Sequence, residues 1–176
     1  MRIEKGARMK EGNISLILDN YDDLFSDFDP RPFSERALSD DFLQECKRAS
    51  RDKNYEFELN MLVPKTKRNS EHEALIKKRL KSHFQKHAKV SQKEVKKVKI
   101  EGFIWFLVGA LIMLGATFLY GLEGFFFTFL LVISEPAGWF MFWEGLDKVF
   151  MYSKEKKPEA DFYSKMAEAK LVFSSY

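Results

Sequence analysis

Cysteine is almost missing from this sequence. Cys46 is the only one in 176 residues, which excludes an internal disulfide and suits a reducing compartment. Glycine-rich phosphate loops, a nucleophile elbow and paired-cysteine zinc patterns are missing too, and with them the usual sequence signs of nucleotide, acyl-transfer and zinc chemistry. The chain is therefore expected not to be an enzyme and to need no cofactor. The opening residues, MRIEKGARMKEG, are charged and lack an apolar core, so no signal peptide is expected and insertion would rely on later segments.

The most telling absence is charge. No charged residue occurs from Gly102 to Leu122, and a second apolar run, Gly124 to Trp143, is interrupted only by Glu135 and Pro136. A hydrocarbon core about 30 Å thick needs roughly 20 apolar residues in helical form, and both runs reach that length. The turn between them, Tyr120 to Gly124, is too short for a folded domain. The pattern predicts a two-helix transmembrane hairpin. Lys93, Lys96, Lys97 and Lys99 precede it, Lys148, Lys154, Lys156 and Lys157 follow it, and the tip carries only Glu123. Lysines near helix ends mark the cytoplasmic side, so a multi-pass protein of the cell (inner) membrane with both termini cytoplasmic is expected. A soluble protein with a buried helical hairpin is the alternative.

Outside the hairpin, Ile14, Leu16 and Leu18 alternate with Ser15, Ile17 and Asp19 and predict a strand over Asn13–Asp19. The following stretch holds Pro30 and Pro32, which forbid a regular helix. Its aromatics Tyr21, Phe25, Phe28 and Phe33 suggest an ordered loop packed on the domain. Ser39 reads as an N-cap, with Asp40 and Asp41 favouring the positive end of the helix dipole and Asn54 a plausible stop. Tyr55, Phe57, Leu59, Met61 and Val63 alternate with polar residues as a second strand, ended by Pro64. Ser70 and Glu73 fit a capping box, and Ile76, Leu80, Phe84 and Ala88 continue that helix. Whether it breaks near Val90-Ser91 or runs on into the apolar segment is open. The tail offers a helix, Glu159–Lys170, and a candidate third strand, Leu171-Val172-Phe173. Two strands bury little, so that tail strand or a neighbouring subunit is needed to complete the sheet.

The expected fold class is thus an α+β cytoplasmic domain, β-α-β-α, attached to a transmembrane hairpin. Residues 1–90 form the domain, 91–101 a basic juxtamembrane neck, 102–150 the hairpin and 151–176 a cytoplasmic tail. This organisation resembles small two-span membrane proteins of prokaryotes with a cytoplasmic α/β head, with no motif that singles out one family.

Five groups of residues stand out. Glu135 beside Pro136 lies mid-run, where an ionisable residue is costly and points to function. With no basic residue in the first run, it would be protonated, meet a polar group of another subunit or face water. Alternatively Pro136 ends the span and 136–150 is an interfacial helix, with Trp139 and Trp143 down and Glu144 up. Second, Gly102, Gly109 and Ala116 form one small-residue line and Ala110, Thr117 and Gly124 its neighbour, suited either to the hairpin seam or to a homo-oligomer. Third, thirteen basic and three acidic residues from Lys65 to Lys99 give +10, against −7 from Glu11 to Glu58. The neck lysines suit anionic lipid head groups or a small anionic ligand; nucleic acid is not expected. Fourth, Asp19, Asp22 and Asp23, with Asp27 and Asp29, are weak metal candidates, since the calcium-loop frame is absent. Fifth, His83 and His87 share a helix face, read as solvated rather than zinc-binding. The leading expectation is a membrane-anchored interaction or sensor module that oligomerises and binds a partner through its head. A small ligand-gated channel or membrane-disrupting effector is the alternative.

Overall fold

A computed structural model describes residues 13–53 and 57–176. The expected helix stop at Asn54 and the start of the second strand at Tyr55 and Glu56 lie outside the described residues, as does the segment 1–12. The chain divides into two compact units, a head of 1–88 with 161–176 and a second unit of 89–160.

In the head, β1 (Ile14–Ile17), β2 (Glu58–Val63) and β3 (Lys170–Ser175) build a three-stranded sheet in the order β1-β2-β3, with the helix α1 (Asp40–Ser50) between β1 and β2. Both pairings are parallel, Ile14 opposite Leu59 and Glu58 opposite Lys170. The domain is therefore α/β in pairing rather than the expected α+β. The two crossovers differ in length: a loop and α1 join β1 to β2, whereas everything from Pro64 to Ala169 joins β2 to β3. The tail strand completes the sheet, so no neighbouring subunit is required for it.

Alternation places Leu59, Met61 and Val63 on one face of β2, with Phe57 just before it, all buried. Phe42 and Cys46 of α1 pack against them, with Ile76, Leu80 and Phe84 of the long helix α2 (Ser70–Thr117) and Phe162 and Met166 of α4 (Ser153–Glu168). The spacing of four along α2 keeps its apolar side chains on one stripe. Ser39 caps α1 as expected, its side chain accepting from Phe42 N.

The loop after β1 forms a short 3₁₀ turn, Tyr21–Leu24, and a bridge between Phe25 and Leu38. Tyr21 and Phe25 are buried and Phe33 packs against the core, but Phe28 is 97% exposed, contrary to the expectation that all four aromatics pack. The start of α2 also differs by one residue. Asn69, not Ser70, is the cap: its Oδ1 accepts from Glu71 N and His72 N. Glu73 is freed from capping and buried. Both its oxygens accept from Arg68, at 2.8 and 2.9 Å, and Oε1 also accepts from the Tyr21 hydroxyl at 3.0 Å.

In the second unit α2 continues without a break at Val90-Ser91 and ends at Thr117. A turn containing Gly124, at φ +127°, leads to α3 (Phe125–Asp147). Such a positive φ suits glycine, which has no Cβ to clash. A π-helical turn, Lys148–Tyr152, links α3 to α4. Two helical segments, Ser70–Thr117 and Phe125–Glu168, each contain a stretch long and apolar enough to cross a membrane.

Candidate functional site in the apolar hairpin

Small residues set the geometry of the second unit. Gly102, Gly109 and Ala116 recur at intervals of seven and are buried where α2 meets α3. A Cβ on Gly109 would reach the Gly138 carbonyl oxygen at 2.6 Å, and one on Gly102 would reach that of Gly145 at 2.8 Å. This line of α2 is therefore the seam within one hairpin. Its partners on α3, Gly138 and Gly145, are also seven apart and were not singled out from the sequence, although that repeated interval was visible. The neighbouring line behaves differently: Ala110 is half-buried, and Thr117 and Gly124 are exposed.

Toward the turn the helices enclose an open-sided cavity of about 420 Å³. Met113, Ala116, Thr117 and Tyr120 line it from the α2 side, and Glu135, Pro136 and Trp139 from α3. Tyr120 lies in the turn just beyond α2. Its hydroxyl donates to Oε1 of Glu135 at 2.5 Å. Glu135 thus has a partner in its own chain, an arrangement outside the three expected from sequence. Thr117 Oγ1 is occupied with the carbonyl of Leu114 at 2.6 Å. Glu135 is the one acidic or basic side chain among the residues that line the cavity.

Pro136 does not end a helix; it lies inside α3. The alternative in which a separate helix begins there is not the observed backbone. Proline has no N–H, so the carbonyl of Val132 loses its usual intrahelical donor. Trp139 is 62% exposed and meets Trp143 edge-on, with ring centroids 6.1 Å apart. Glu144 is paired one turn on with Lys148 at 3.3 Å, and the Lys148 ammonium lies 4.4 Å from the centre of the Trp105 ring. Lys148 is thereby held between a carboxylate and an aromatic face.

The neck lysines Lys93, Lys96, Lys97 and Lys99 are all exposed on α2, and Lys97 approaches Glu101 at 3.7 Å. In the head, the aspartates do not converge. Asp23 accepts from the backbone of Asp19 and Asn20, Asp22 pairs with Arg36 at 2.5 Å, and Asp29 binds Arg31 and Ala37 N. Arg31 holds the Asp29 carboxyl well below the usual carboxylate range. Their density after β1 comes from turn and cap chemistry. Among the described residues, no three His, Cys, Asp or Glu side chains are grouped to hold a metal.

The histidines are not on a solvated face. His83 and His87 lie with ring centroids 4.2 Å apart, and Tyr163 stacks on His87 at 5.0 Å. His83 Nε2 is buried with no hydrogen-bond partner among the described residues. Burial, with the nearby His87, Arg79 and Lys86, pushes the His83 pKa down to about 4. Compared with protein families, curated proteins and solved structures, the chain matches none.

Proposed function

We propose that the chain is a non-enzymatic, membrane-anchored interaction or sensor module. The observation that carries this reading is the distribution of exposed apolar side chains. Leu107, Leu111 and Leu114 of α2 and Phe126, Phe129 and Val132 of α3 all point outward. Exposed apolar surface on this scale calls for lipid or a partner. Lysines bound it at the end away from the Gly121–Gly124 turn, which supports a cytoplasmic head, neck and tail. The neck lysines then lie at head-group level, where each contributes about 1 kcal/mol of attraction to anionic lipid. Assembly into a homo-oligomer would use the outward helix faces, since Gly102, Gly109 and Ala116 are occupied within the hairpin. The head binds a protein or small anionic ligand in this reading.

The test is site-directed labelling in intact cells. Glu123→Cys should react with an impermeant maleimide from outside, and Ser82→Cys, on an exposed head position, only after permeabilisation. Labelling of both from the same side overturns the topology.

A second reading, a small gated channel or membrane-disrupting effector, draws support from Glu135 alone. It lies about 15 Å along α3 at the helical rise, near the depth of a bilayer centre. Ion flux in reconstituted vesicles that changes with Glu135→Gln would favour it; no flux from the wild type would remove it.

A further inference from the structure

We propose that the cavity beside Glu135 binds an amphiphilic organic cation, an ammonium head on an apolar body. The inference goes beyond the anchor reading and rests on it only in placing the cavity among lipid tails. Its volume, about 420 Å³, falls within the range of small-molecule sites, roughly 300–1,000 Å³.

The lining chemistry selects the ligand. Met113, Ala116 and Pro136 give apolar contact, and Trp139 and Tyr120 contribute aromatic rings. The Thr117 and Tyr120 hydroxyl protons are already committed, to Leu114 O and Glu135 Oε1. The Tyr120 bond uses one acceptor position of a group that has about four. The cavity therefore offers a carboxyl group able to carry a negative charge beside a cation, spare acceptors and π systems. An anionic ligand would meet repulsion from the carboxylate. A neutral chain would fill the space but leave the carboxyl group with no partner beyond Tyr120. A cation satisfies both the carboxylate and the rings, and aromatic groups attract ammonium ions most strongly where water is excluded.

The experiment is equilibrium binding of radiolabelled hexyltrimethylammonium to the full chain, extracted from membranes in a neutral maltoside detergent. Saturable binding of one equivalent per chain is expected. Glu135→Gln should weaken it at least about tenfold and Trp139→Leu about fivefold. Tyr120→Phe keeps the ring and should leave affinity within about threefold. The uncharged isostere, with carbon in place of nitrogen, should not displace the label. Equal binding by wild type and Glu135→Gln, displacement by the isostere, or no saturable binding overturns the proposal. If Glu135→Gln does not purify as a helical, monodisperse protein, Trp139→Leu and the isostere decide instead. A chain that is soluble without detergent would overturn the membrane reading as well, which separates the two failures.

Discussion

Gly109 and Gly138 face each other across the α2–α3 seam so closely that a Cβ on either would meet the other's carbonyl oxygen, at 2.6 Å from Gly109 and 3.1 Å from Gly138. Neither has a positive φ, so the requirement for glycine here is one of distance, not of backbone conformation. In lipid, where helix association depends on close packing, such contact is what holds a hairpin together.

Gly109→Ile should therefore part the helices, at a cost above the 1–3 kcal/mol typical of overpacking, because backbone rather than side-chain ends blocks the added atoms. Gly115 is the control, since a Cβ there meets nothing within 4 Å. Thermal unfolding in detergent should show a large loss for Gly109→Ile and almost none for Gly115→Ile. Equal effects from the two would mean that the seam is not where α2 and α3 touch.

A second outcome concerns the buried polar knot of the head. The Tyr21 hydroxyl donates to Glu73 and accepts from Asn69 N at 2.8 Å, and Arg68 also reaches the Phe173 carbonyl at 3.4 Å. Turn, helix start and tail strand meet in one network. Tyr21→Phe deletes two of these bonds with little change of shape and should destabilise the head by about 1–2 kcal/mol. Combined with Glu73→Leu, the loss should fall short of the sum of the single losses, because the Tyr21–Glu73 bond is shared. Denaturant titrations of the four variants of that cycle measure this; strict additivity would contradict the network.

Cys46 should be chemically silent. It is fully buried, and burial pushes its thiol up to about 12, so almost no thiolate exists near neutral pH. Mass spectrometry after maleimide treatment should find the native protein unmodified and the denatured protein carrying one adduct. Silence of Cys46 in the native protein thus reports burial, and topology needs an exposed position such as Ser82.

The legible parts of this molecule are those encoded locally. The absence of charge from Gly102 to Leu122 is a composition signal, and the alternation from Phe57 to Val63 directly gives the buried face of β2. Ser39 announces α1 through its own neighbours. What could not be read depends on contacts distant in sequence. Parallel pairing of Glu58 with Lys170 closes a crossover containing both apolar helices, and no short-range pattern carries it. The Tyr120–Glu135 bond spans fifteen positions through a turn, so it follows only once the antiparallel register is known. Asn69 and Ser70 are both good caps, and the choice falls to Asn69 because Glu73 is drawn into the core by Arg68 and Tyr21.

The last outcome turns on His83. Its ring faces His87 on α2 and Tyr163 on α4, with Arg79 and Lys86 adding positive charge nearby. The folded pKa of about 4 lies below the ordinary histidine value, so the fold favours the neutral ring. Between the two values the unfolded chain binds a proton that the folded chain does not, and stability must rise with pH across that window. Acidification from about pH 6.5 to about pH 4 should therefore weaken the head through this residue, by about 1 kcal/mol once solvent screening of a half-buried ring is allowed for. Carboxylates titrate in the lower part of the same window, so the informative quantity is a difference. His83→Phe keeps an aromatic ring and cannot take a proton. Its stability relative to the wild type should improve as pH falls through the window and level off below about pH 4. Hydrogen exchange of Ile76, Leu80 and Phe84 amides, followed in both proteins across that range, reads the head without requiring the whole chain to unfold in one step. Parallel pH profiles for the two proteins would show that His83 protonates equally well folded and unfolded, and that its buried Nε2 carries no energetic consequence.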